Sequence, residues 1–157
     1  MDKSVTNQVS YTDYKPKIYL FCCATSYDQT EVVRTLSPED SEMKVISIPC
    51  SGKLDILYLT KAFEKGADGV AVMMCRDGDC RYLEGNLRAK KRIAAIANLL
   101  EETSLGRDRV AVIQLSENGT AQAIRDLDNF IRKIKSLTTK TPTTTINSEP
   151  ISIKSRR

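Results

Sequence analysis

A chain of 157 residues, 41% hydrophobic and 28% charged, has the length of one domain and the composition of a soluble globular protein. Histidine is absent, which excludes histidine-based acid–base catalysis, Rieske centres and every zinc site that uses imidazole. The net charge is a modest +4, no apolar run reaches the ~18 residues of a membrane span, and the opening MDKSVTNQVS lacks the apolar segment of a secretory signal, so a cytoplasmic protein is expected.

Residues 1–15 are polar and read as an N-terminal extension. KIYLFCC, from Lys17, begins a domain assigned to residues 16–137, in which KVISIPC, GVAVMMC and RVAVIQL follow as further apolar runs of strand length. Continuous Val- and Ile-rich runs suit strands buried on both faces. Between the first two, a short helix is expected around Gln29 to Leu36. Residues 54–65 place Leu54, Leu57, Tyr58 and Ala62 on one helical side, with GADG as a stop signal. A longer helix is expected over 81–102, its apolar side formed by Leu83, Leu87, Ile93, Ile96, Ala97 and Leu100. The last, Thr120 to Leu137, carries Ala123, Ile124, Leu127, Phe130, Ile131 and Ile134 on one side. This alternation predicts a three-layer α/β domain of Rossmann-like or flavodoxin-like type, with an open, four-stranded, mostly parallel sheet. Strand order does not follow from it. Residues 138–157, rich in Thr, Ser and Pro and basic at the end, read as a polar C-terminal tail.

The five cysteines fall at Cys22, Cys23, Cys50, Cys75 and Cys80. Four of them end predicted strands, and Cys80 stands just before the third helix. The carboxyl ends of parallel strands share one edge, where such folds place their ligands, so the thiols are expected to converge there. Four thiolates can hold zinc or an iron–sulfur cluster, and neither spacing nor count separates the two metals. Gly78 gives the C-x4-C loop between Cys75 and Cys80 its backbone freedom. Cys75 and Arg81 also stand in the C-x5-R relation of a cysteine phosphatase loop. Asp77 and Asp79 would then oppose the phosphate, and Tyr82 occupies a position where such loops have Ser or Thr. CSGK, from Cys50, lacks the full pattern of a nucleotide-binding loop and fits a strand-to-helix turn better. The basic run RAKKR, Arg88 to Arg92, has no interleaved aromatics that would suit single-stranded nucleic acid. It reads as a solvated helix face or a dock for an acidic protein surface.

GDCRYLEGNLRAKKR at Gly78 to Arg92, CSGKLD at Cys50 to Asp55 and GADGVAVMMC before the loop resemble the MvhD (FlpD) family. Its members are small iron–sulfur delta subunits associated with methyl-viologen-reducing hydrogenase and heterodisulfide reductase. The resemblance runs from about Lys17 to Leu137 and implies a non-catalytic electron-transfer subunit with one 2Fe-2S cluster. Such a subunit would relay electrons between a hydrogenase, formate dehydrogenase or other donor and a heterodisulfide-reductase-like flavoprotein, within a hetero-oligomer. The family's C-H-x-G-D-C-H-Y loop falls on Cys75 to Tyr82, with Arg76 and Arg81 where histidines are common, and its M-C-S-G element on Pro49 to Gly52. Its first element falls on Phe21 to Ser26, with Ser26 where a further cysteine is usual. The implied ligands are Cys23, Cys50, Cys75 and Cys80, with Cys22 as the alternative if the first strand is turned differently, because neighbouring side chains on a strand face opposite ways. Arg76 and Arg81 would tune the cluster or dock a partner, or else pair with Asp77, Asp79 or Glu84. Two other functions fit the residues: a zinc-bound or metal-free structural adaptor, and a thiol enzyme using Cys75.

Overall fold

A computed structural model describes residues 14–35, 41–116 and 119–140. Four strands, β1 (Lys17–Cys23), β2 (Glu42–Ile48), β3 (Gly69–Met74) and β4 (Val110–Gln114), alternate with helices α1 (Gln29–Thr35), α2 (Ile56–Glu64), α3 (Gly85–Glu102) and α4 (Thr120–Lys140). The strands form one open sheet in the order β2-β1-β3-β4, and every pairing is parallel. Apolar clusters cover both faces. Ile18, Leu20, Cys22, Ala71 and Met73 pack against Val32 of α1 and against Leu127, Ile131 and Ile134 of α4. Tyr19, Phe21, Val70, Val72 and Met74 pack on the other face against Leu59 of α2 and Ala89, Ile93 and Ile96 of α3. The expected three-layer α/β architecture is therefore present, and among the described residues no helix is long and apolar enough to cross a membrane.

β1 and β3 occupy the centre and are almost wholly buried, as their unbroken apolar runs predict. β2 and β4 lie at the edges and are partly exposed, so burial on both faces does not extend to them. Two helices differ from expectation. α2 begins at Ile56, since Leu54 closes a preceding 3₁₀ turn and Asp55 caps the helix through its carboxylate on the Leu57 N–H at 2.9 Å. Such a cap is worth ~1 kcal/mol. The buried side of α2 is Leu59 and Ala62, and Leu57 and Tyr58 face solvent. α3 begins at Gly85, four residues later than the periodicity suggests, which leaves Leu83 in the loop and Leu87 exposed. α4 continues to Lys140, into the segment assigned to the tail. The remaining tail, residues 1–13 and the expected helix end at Leu36 lie outside the described residues.

At the opposite edge of the sheet, Asp68 ties three strand starts together. Its carboxylate accepts from the Lys17 N–H at 2.7 Å and from Tyr14 Oη at 2.6 Å, and its carbonyl accepts from Arg109 at 2.9 Å. At the carboxyl edge the register is level, with Cys23 beside Ile48, Cys22 beside Met73 and Met74 beside Gln114. The chain leaves β1 towards one side for β2 and returns across the sheet to β3, so the strand order reverses between β1 and β3. Such a switch point opens a crevice beyond the strand ends.

Candidate metal centre

Three sequence elements reach that crevice. β1 delivers Cys23 at its last residue. β2 runs into Pro49 and Cys50, which caps the 3₁₀ turn Ser51–Lys53. β3 gives way to the loop from Cys75 to Glu84, where Gly78 adopts φ +87° and lets the chain double back to Cys80. Cys50, Cys75 and Cys80 form one buried cluster, and the Cys75 and Cys80 thiols are hydrogen-bonded to each other. Cys23, fully buried with Sγ 3.0 Å from Thr25 Oγ1, is near enough for its charge to raise both Cys50 and Cys75. Cys22 points the other way, into the core beneath α4, with its thiol 3.9 Å from Met73 Sδ and pushed up to about 12 by burial. The alternation of side chains along β1 thus separates the two neighbours.

The thiols differ in environment. Burial pushes Cys75 up to about 11, reinforced by Cys80 and opposed by a hydrogen bond from Ser26. Cys50 is also raised by burial, although the Gly52 N–H reaches its sulfur at 3.3 Å. Burial acts in the same direction on Cys80, but the backbone N–H groups of Asn86, Tyr82 and Gly85 converge on its sulfur and hold it below the usual thiol range. Those amides belong to the first turn of α3 and the loop before it, where unpaired N–H groups favour negative charge. Among the described residues no three His, Cys, Asp or Glu side chains close round one metal-ion position.

Close backbone contacts bring the sulfurs together. A Cβ on Gly85 would lie 2.5 Å from Cys50 Sγ and 3.1 Å from Cys80 Sγ, and one on Gly52 would lie 2.7 Å from the Gly85 Cα. The glycine of CSGK is therefore needed where two backbones meet, in agreement with a strand-to-helix turn. Arg92 holds that turn from α3, donating to the carbonyls of Gly52 at 2.8 Å and Leu54 at 2.6 Å.

The C-x4-C loop is fixed by residues that its cysteines do not announce. Asn86, buried in the first turn of α3, donates to the Arg76 carbonyl at 3.0 Å and to Asp77 Oδ1 at 3.2 Å. Gln114, at the end of β4, donates to the Cys75 carbonyl at 3.2 Å and to Asp77 Oδ1 at 3.0 Å. Lys90 pairs with Asp77 at 2.8 Å and, with Gln114, holds its carboxyl below the ordinary value. Asn86 follows a glycine at a helix start, which is a weak sequence signal, and Gln114 has none. Arg76 pairs with Asp79 at 2.9 Å, whereas Arg81 is exposed and makes no ion pair with another described residue. Two basic residues of RAKKR, Lys90 and Arg92, thus hold the site together, so the run is more than a solvated face.

Fold and site together define a doubly wound α/β protein with a group of buried thiols at the carboxyl edge of its sheet, at the switch point. Residues 18–138 match the family described as FlpD, methyl-viologen-reducing hydrogenase, delta subunit, and the chain belongs to this family. It is 33% identical over 127 residues to the vhu iron-sulfur subunit of the F420-non-reducing hydrogenase of Methanocaldococcus jannaschii, covering 80% of this chain and 90% of that protein. The iron-sulfur subunit of the F420-non-reducing hydrogenase of Archaeoglobus profundus is 31% identical, over 78% and 93% of the two chains. A similarity of 26% covers 74% of this chain and 14% of a ferredoxin:CoB-CoM heterodisulfide reductase subunit from Methanosarcina mazei.

Proposed function

We propose that this chain is a cytoplasmic electron-transfer subunit that holds one 2Fe-2S cluster on Cys23, Cys50, Cys75 and Cys80. The observation that carries the proposal is the convergence of these four cysteines at the switch-point edge, while the fifth, Cys22, lies in the core on the other face. The donor set fits such a group: all four are soft thiol donors, and no imidazole exists in the chain. Backbone N–H groups already directed at Cys80 and Cys50 suit sulfurs that carry negative charge. Gly85, having no side chain, lets two of these sulfurs lie close against the start of α3. When bound, a cluster of this kind supplies a one-electron carrier whose potential depends on charge and hydrogen bonding near its sulfurs.

The residues of the chain divide the remaining work. Asn86, Gln114 and Lys90 fix the loop that carries Cys75 and Cys80, and Arg92 fixes the turn that carries Cys50. Arg76, paired with Asp79, adds little net field, since exposed ion pairs are screened. Arg81 is left with the tuning or docking role. The relatives support a place between two larger modules: some are named as hydrogenase subunits, and another contains the matching segment within a component of heterodisulfide reductase. We assign the partners accordingly as a hydrogenase or other electron donor and a heterodisulfide-reductase-like flavoprotein. A thiol enzyme using Cys75 fits less well, because the helix-start amides serve Cys80 and the Cys75 thiol is raised to about 11.

Anaerobic purification followed by iron, zinc and acid-labile sulfide analysis and reduced-state EPR tests the proposal. Two irons and two sulfides per chain are expected, while one zinc would make the chain a structural adaptor. Cys75→Ser should abolish the cluster spectrum and Cys22→Ser should leave it intact. Wild-type iron and sulfide in Cys75→Ser would refute the ligand set.

A further inference from the structure

The loop between Cys80 and α3 contains a strained residue that the fold does not use. Leu83 has a backbone φ of 63°, the left-handed region that a side chain with a Cβ enters at a cost. Its side chain is 84% exposed, so no packing against the described residues compensates. Strain held at an exposed apolar residue beside a cofactor site points to a contact made outside the chain.

Leu83 directly follows Arg81 and Tyr82 in the loop, and Tyr82 connects it to a surface hollow. Tyr82 is 57% exposed and lines a hollow of about 260 Å³ together with Cys50, Lys53 and Arg88. A second hollow shares Lys53 and is lined by Leu57, Tyr58 and Lys61 of α2. Leu57, Tyr58 and Leu87 are exposed as well, although helical periodicity places them with the apolar sides of their helices. The charges on this face are unbalanced. Lys53, Lys61 and Arg81 are exposed and make no ion pair with another described residue, Asp55 is engaged as a helix cap, and Arg88 meets Glu84 only at 3.9 Å.

We infer that this face is the docking surface for an acidic redox protein, whose apolar centre packs on Tyr82 and Leu83 and whose carboxylates meet Lys53, Lys61 and Arg81. The inference rests on the electron-transfer function proposed above and locates the entry of the electron. Cys50 forms part of the wall of the hollow, so a partner seated there lies against the thiol site. Cations without an ion pair among the described residues attract carboxylates, speed encounter and fix orientation. In the transfer, one electron leaves the reduced partner and one is gained by this chain, with no bond made or broken.

A plant-type 2Fe-2S ferredoxin, small and acidic, serves as the probe. Its affinity for the anaerobically purified full chain is measured by titration calorimetry, and its rate of electron delivery by stopped flow, at low and high salt. Binding that weakens with salt is expected. Lys53→Glu combined with Lys61→Glu should weaken it ~10-fold or more, and Leu83→Gly, which suits the left-handed backbone, should weaken it without loss of folding. Reduction by methyl viologen should remain unchanged in both variants. Salt-independent binding, or variants that bind the ferredoxin as wild type does, would overturn the docking surface alone. A chain free of iron and sulfide would overturn the electron-transfer function, and the docking assignment with it.

Discussion

A single methyl group at Gly85 would reach within van der Waals overlap of two cysteine sulfurs, 2.5 Å from Cys50 and 3.1 Å from Cys80. Because both sulfurs are held by neighbouring backbone, neither can yield without moving its turn. Gly85→Ala should cost ~1–3 kcal/mol of stability, the usual range for overpacking, and should reduce the iron retained per chain more than it reduces helix content. Circular dichroism and iron analysis of the same preparation compare the two. At this scale the sequence reveals the chemically distinctive groups: five cysteines, four at strand ends, and a glycine in the loop between two of them. It does not reveal Asn86, Gln114 and Arg92, because their roles lie in hydrogen bonds to backbone carbonyls of other elements, and a carbonyl carries no sequence signature.

The elements are tied at both ends of the sheet, by thiols at the carboxyl edge and by Asp68 at the other. Tyr14 belongs to the second tie, where burial first, and the Asp68 carboxylate next, raise its phenol to about 12. A raised acid favours the folded state while it is protonated, so its contribution is complete below the ordinary value of 10.0 and is lost as pH climbs towards 12. Tyr14→Phe should therefore lower stability modestly at neutral pH, where the hydrogen bond to Asp68 is lost, and flatten the decline across that alkaline interval. Denaturation melts at a series of pH values provide the comparison. The strands are readable from sequence because β1 and β3 are buried on both faces and need unbroken apolar runs. The order β2-β1-β3-β4 is not, since pairing depends on contacts between segments. Helical periodicity failed at Leu57, Tyr58, Leu83 and Leu87 for a related reason: it counts apolar residues and cannot distinguish those that serve the core from those left on the surface.

Across the whole molecule, stability and the proposed docking role pull in opposite directions at Leu83. Relief of a left-handed leucine returns ~1–2 kcal/mol, and glycine's greater freedom in the unfolded chain takes back ~0.5–1 kcal/mol. Leu83→Gly should therefore raise the melting temperature by a few degrees while weakening the ferredoxin complex. A thermal scan beside the binding titration measures both. The level register of the strand ends also bears on assembly. Cys23, Cys50 and Cys75 become neighbours only after both parallel crossovers have closed, and such long-range pairings are among the slowest steps in folding. A group held by all three, as proposed above, would bridge segments that only those crossovers bring together, and its binding would favour the folded sheet. Loss of the proposed cluster should therefore loosen the carboxyl edge of the sheet before the edge tied by Asp68.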